Sequence, residues 1–145
     1  MRQQFDDGRD PRPAHGGAQT YHGRVVPGYA PEMDGEPDPG EIVWAWVAYE
    51  EDPNVGKDRP LVVIGRAADG SSAMVAMLLS SQDHEGDDDW VLLGAGAWDR
   101  DRRESWVRVD RMLAVPANGI RREGAVLQRD RYDRLLRDIV AELRD

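Results

Sequence analysis

Two residues of this sequence, Arg59 and Ser80, are of types that could act together on an anion. Arg59 stands directly before Pro60 and the apolar run Leu61-Val62-Val63-Ile64, and Ser80 follows a second apolar run, Ser72 to Leu79. A proline restricts the backbone beside it, so Arg59 is expected at the mouth of a buried strand with its planar fork presented to a phosphate. If the two runs are neighbouring strands, the Ser80 hydroxyl lies near that fork and can hydrogen-bond the same oxygens. An arginine is a poor base at neutral pH, since its pKa exceeds about 12, and its role there is charge stabilisation. The structural alternatives are an Arg59 paired with Asp58 or Glu51, and a Ser80 bonded to its own backbone. Lys57, Ser81 and Gln82 flank the pair.

Other chemistry-bearing residues point less clearly. His84 is close to Ser80 and could serve as acid or base near neutrality, or stand as a bystander in an acidic loop. The run from Asp83 to Asp89 superficially resembles a calcium loop but lacks flanking helices and a closing glutamate at the right spacing, so no metal site is expected. Gly94-Ala95-Gly96 is too short for a dinucleotide fingerprint. Trp44, Trp46, Trp90, Trp98 and Trp106 could stack on bases, but in strands this apolar most are expected in the core.

The elements that must position these residues are mainly strands. Glu41 to Tyr49 is rich in β-branched and aromatic residues, which suit a half-buried pleated surface. Glu50 to Asp58, punctuated by Pro53, Asn54 and Gly56, reads as a loop. Pro60 to Arg66 is a second strand buried on both faces, Asp69-Gly70 a turn, and Ser72 to Leu79 a third strand. Such a meander favours an antiparallel sheet. Trp90 to Leu93, Ser105 to Val109 and a short stretch from Arg111 to Val115 add strands. Tyr132, Leu135, Leu136, Ile139, Val140 and Leu143 then recur at helical spacing, giving one closing helix with an apolar face.

Before Gly40 the chain changes character. Residues 1–39 are rich in Pro and Gly, carry His15 and His22, and show no apolar period. Such a segment buries too little surface to offset its ordering entropy, so it is expected to be a disordered tail ahead of a domain spanning residues 40–145. Hydrophobic residues at 40% suffice for a core. The absence of cysteine excludes a disulfide scaffold and thiolate metal sites and fits a reducing cytoplasm. No apolar run approaches the roughly 20 residues that span a bilayer. The net charge of −9 weighs against nucleic-acid binding, although a site needs only a local basic cluster.

Gly40-Glu41-Ile42-Val43-Trp44, a polar loop, and then Gly56-Lys57-Asp58-Arg59-Pro60-Leu61-Val62-Val63-Ile64 resemble the opening of MazF/PemK toxins. Leu78-Leu79-Ser80-Ser81 is similar to the family's Pro-Leu/Ile-Thr-Ser, with Leu78 for its proline and Ser80 for its threonine. Val107-Arg108-Val109-Asp110-Arg111-Met112 and the closing helix also resemble family features. The resemblance implies a small SH3-like antiparallel β-barrel with a C-terminal helix. It further implies a cytoplasmic homodimer, checked by a cognate antitoxin protein, that cleaves single-stranded RNA such as mRNA without metal or other cofactor. Arg59 and Ser80 match its catalytic arginine and threonine; Lys57, Ser81 and Gln82, flanking that site, are candidate RNA contacts, the alternative being side chains that are simply solvated. A different class fits the acidic composition and the two departures: a catalytically inactive, MazF-like protein-binding module.

Overall fold

The computed structural model describes residues 10–11, 17–27, 39–68, 73–116 and 120–144. In chain order their strands are β1 (Asp10–Pro11), β2 (Gln19–Thr20), β3 (Val25–Pro27), β4 (Glu41–Tyr49), β5 (Asp52–Ala67), β6 (Met74–Ser80), β7 (Trp90–Gly94), β8 (Ser105–Arg108), β9 (Leu113–Val115) and β10 (Ile120–Val126). One helix, α1 (Arg129–Arg144), follows. The turn expected at Asp69-Gly70 lies outside the described residues.

Strict alternation in β4, β5 and β6 makes the centre. Ile42, Val62, Ile64, Val75, Met77 and Leu79 face one core, while Val43, Val47, Leu61, Val63, Met74, Ala76 and Leu78 face another. Successive side chains of a strand point to opposite faces, so these three strands are buried on both sides, as their nearly continuous apolar sequence requires. Tyr132, Leu135 and Ile139 of α1 close the first core. Ala18, Leu113 and Val115 help close the second.

All named strand pairings are antiparallel, and the main path runs β10-β4-β5-β6-β8-β7. Among the described residues β10 and β7 do not pair, so the sheet is open; the pairings do not close the barrel that the resemblance implies. Gly40, at φ 101°, adopts a conformation that side chains resist. Its N–H bonds Val63 at 2.8 Å and its carbonyl accepts Leu127 N–H at 2.7 Å, so the start of β4 is tied to β5 and to the approach of α1.

Two further expectations are corrected. The loop expected from Glu50 to Asp58 is mostly strand, since β5 begins at Asp52. Gly56 makes this possible: it pairs with Ala48, and a Cβ there would lie 2.1 Å from the Val47 carbonyl oxygen. Residues 17–27, expected to belong to a disordered tail, are bound into the sheet. Ala18 is fully buried, its N–H donates to Trp46 at 2.7 Å, and its carbonyl accepts Ala48 N–H at 3.1 Å. β2 pairs with β9, and β1 and β3 pair with β5. The buried Arg111 fastens this segment, donating to Thr20 Oγ1 at 2.9 Å and to the Ala48 carbonyl at 3.0 Å.

Candidate active site

Arg59 lies inside β5, across from Ala45, rather than at a loop-to-strand junction. On its other side β5 meets β6, with Leu61 paired to Leu78 and Val62 to Met77. The ladder ends at Leu61 and Leu78; Leu79 and Ser80, the last residues of β6, pair instead with Val107 and Trp106 of β8. A cleft of about 340 Å³ borders Arg59 and Ser80, and Lys57, Ser81 and Gln82 also line it. All five residues singled out by sequence therefore meet at one cleft. Arg59 and Lys57 are half-buried, and Ser81 and Gln82 are exposed.

The far wall comes from the link between β7 and β8, through Trp98, Asp99 and Arg103, and from Ser105 at the start of β8. Trp98 donates its indole N–H to Ser105 Oγ at 2.9 Å. Asp99 grips Arg103 through Nε at 2.9 Å and Nη2 at 3.2 Å, and also accepts the Arg103 backbone N–H at 2.9 Å. The hydrogen bond from the Arg103 side chain is the main reason the Asp99 carboxyl sits below the usual carboxylate range. From the helix, Arg131 bonds the Ala95 carbonyl at 2.6 Å and Arg134 the Leu93 carbonyl at 3.1 Å, which holds this wall to the body of the fold.

A charged network beside Arg59 escapes sequence reasoning. Arg108 is held by Asp110 at 2.6 and 3.1 Å and by Glu50 at 2.9 Å. Its pKa is raised above the ordinary guanidinium value, chiefly by the Asp110 hydrogen bond. Arg111 is shifted the other way, first by burial, with Glu50, Arg108, Arg59 and Asp110 as the charges it feels. These groups therefore surround one another. The Asp89 carboxyl is pushed up, first by the charge of Asp110 and then by desolvation. The alternating charges of Val107-Arg108-Val109-Asp110-Arg111 are the available signal, but it takes the β4–β5 turn to bring Glu50 beside them.

The acidic loop after β6 is self-capped. Asp83 accepts Glu85 N–H at 2.9 Å and Asp87 accepts Asp89 N–H at 3.0 Å, the turn geometry that aspartate favours. His84 is half-buried within it, and its Nε2 lies 3.1 Å from Ser80 Oγ. The ring stacks on Trp90 at 3.7 Å, with 4° between the planes, and meets the edge of Trp106 at 6.3 Å. Only Trp46 of the five tryptophans is buried; Trp44 and Trp98 line the cleft, and Trp90 and Trp106 frame His84, contrary to a mainly core assignment. Among the described residues, no helix is long and apolar enough to cross a membrane.

Residues 38–143 match the model of a family described as PemK-like, MazF-like toxin of type II toxin-antitoxin system. No curated protein matches the sequence.

Proposed function

We propose, for a chain that belongs to the PemK-like, MazF-like toxin family, that it is an endoribonuclease cleaving single-stranded RNA by 2′-hydroxyl attack. The observation that carries this reading is the single cleft that Arg59 and Ser80 line together with Lys57, Ser81 and Gln82. Attack on the adjacent phosphate leaves a cyclic phosphate and a free 5′-hydroxyl, and needs charge stabilisation on the phosphorane. Arg59 supplies that charge as a fork to two phosphate oxygens, and Ser80 hydrogen-bonds the same group. Lys57, Ser81 and Gln82 contact the strand on either side. Because the nucleophile is the RNA's own hydroxyl, the step requires no metal-bound water and no other cofactor.

The same reading takes the domain from residue 40 onward as the family's SH3-like barrel scaffold. It acts in the cytoplasm as a homodimer on mRNA, restrained by a cognate antitoxin. Incubating the full chain with a long single-stranded RNA in EDTA, beside Arg59→Ala, tests the activity. Cleavage to 5′-hydroxyl ends is expected, with a loss of about 10²–10³-fold in the variant. A second reading, a protein-binding module without catalysis, is favoured by the net charge of −9 and by Asp58 and Asp99 at the cleft. Absence of cleavage by both proteins would select it.

A further inference from the structure

Ser80 is held by two neighbours before any substrate arrives. Gln82 donates its backbone N–H to Ser80 Oγ at 3.1 Å, and His84 Nε2 stands 3.1 Å from the same oxygen. A serine hydroxyl has one hydrogen and two lone pairs. The protonation of Nε2 therefore decides where that hydrogen goes. An Nε2 without a proton draws the Ser80 hydrogen to itself. An Nε2 that carries one fills the second lone pair, and the hydroxyl hydrogen is left for a third partner.

The imidazole is held from outside its own loop. Its face lies on Trp90 of β7 and its edge on Trp106 of β8, and Trp106 is the register partner of Ser80. Asp87 N–H caps the His84 carbonyl at 3.0 Å. Two strands and a capped turn thus fix the ring on the serine, a degree of support that a solvated loop histidine does not require.

We propose that His84 is a positioning residue for Ser80: its Nε2–H donates to Ser80 Oγ and, together with Gln82 N–H, turns the Ser80 hydroxyl hydrogen toward a phosphate oxygen held by Arg59. This rests on the ribonuclease reading of the cleft. His84 acts through Ser80, and the ring's stacking on Trp90 serves to aim it.

The test compares the wild-type full chain with His84→Phe, His84→Gln, Ser80→Ala and the double variant His84→Phe/Ser80→Ala. The probe is a fluorophore–quencher RNA oligonucleotide carrying a cleavage sequence mapped for the wild type. Phenylalanine keeps a flat ring for Trp90 but has no N–H; glutamine keeps an N–H near the place of Nε2. His84→Phe is expected to lower kcat about tenfold, roughly the effect of one misdirected hydrogen bond, with KM nearly unchanged. His84→Gln is expected to recover most of the loss, and His84→Phe to cost nothing further in the Ser80→Ala background. The proposal is overturned if His84→Phe cleaves like wild type, if phenylalanine and glutamine fall alike, or if His84→Phe costs as much without Ser80 as with it. Failure of the wild type itself to cleave would overturn the ribonuclease reading along with it, a result distinct from all three.

Discussion

The Tyr132 hydroxyl donates to the main-chain carbonyl of Ile64 at 2.8 Å, and both residues are buried. The β5–β6 register shifts between Val63 and Gly65, so Ile64 sits at an irregularity where a strand carbonyl needs a partner outside the ladder. Helix and sheet are joined there by a polar contact inside an apolar core.

Tyr132→Phe keeps the ring and strands that carbonyl. It is expected to destabilise the fold by about 1–2 kcal/mol, measured by urea unfolding. Cleavage at temperatures where the protein remains folded should be unaffected, because Tyr132 does not line the cleft. An unchanged denaturation midpoint would mean that the carbonyl finds another partner.

Arg111→Leu removes the donor that joins Thr20 to Ala48. The expected result is a loss of about 1–3 kcal/mol, together with faster amide exchange in residues 17–27 than elsewhere in the sheet. Exchange that rises equally throughout would argue against a local fastening.

Gly56→Ala places a methyl group against the Val47 carbonyl oxygen, at 2.1 Å in the unrelaxed geometry. Forcing β4 and β5 apart is expected to cost about 1–3 kcal/mol. Because Lys57 and Arg59 follow on the same strand, cleavage should fall further than stability alone accounts for. A variant as stable as wild type would show that the strand pair can shift freely.

Asp99→Asn releases Arg103 from its charged partner at the cleft wall. RNA affinity, measured by fluorescence anisotropy at fixed salt, is expected to rise severalfold, since a freed cation can meet a phosphate. The wild-type pair also has a defined pH response. The folded-state carboxyl titrates below its ordinary value of 3.8, so the contribution of the pair is fully present above that value. It is lost as the pH falls through the lower folded value. A carboxyl-carbon NMR titration with its midpoint at or above the ordinary value would contradict the arrangement.

The legible parts of the fold are those whose chemistry is local and periodic. β4 runs from Glu41 to Tyr49, as its β-branched and aromatic residues indicate, and α1 carries the expected three- and four-residue spacing of Tyr132, Leu135 and Ile139. Arg59 and Ser80, each adjoining an apolar strand in the sequence, line one cleft. The illegible parts depend on tertiary partners. The first half of β5 holds Pro53, Asn54 and Gly56, ordinary signs of a loop, and becomes strand only because Gly56 lets it approach β4. β10 contains Arg121, Arg122, Glu123 and Gly124, which mask its strand character until it pairs with β4. β2 and β3 are too short to show any period. Sequence put His84 near Ser80, but the aromatic floor beneath its ring comes from two later strands.

The segment around Ala18 has a bearing on how this protein is prepared. The stretch matched by the family model begins at residue 38, after the piece of chain that covers Trp46, Val47 and Ala48. A polypeptide trimmed to that stretch would carry a bare, adhesive underside into solution. Two such truncated copies can then pair through the uncovered Trp46–Ala48 edge, a contact that the Ala18 segment occupies in the full chain.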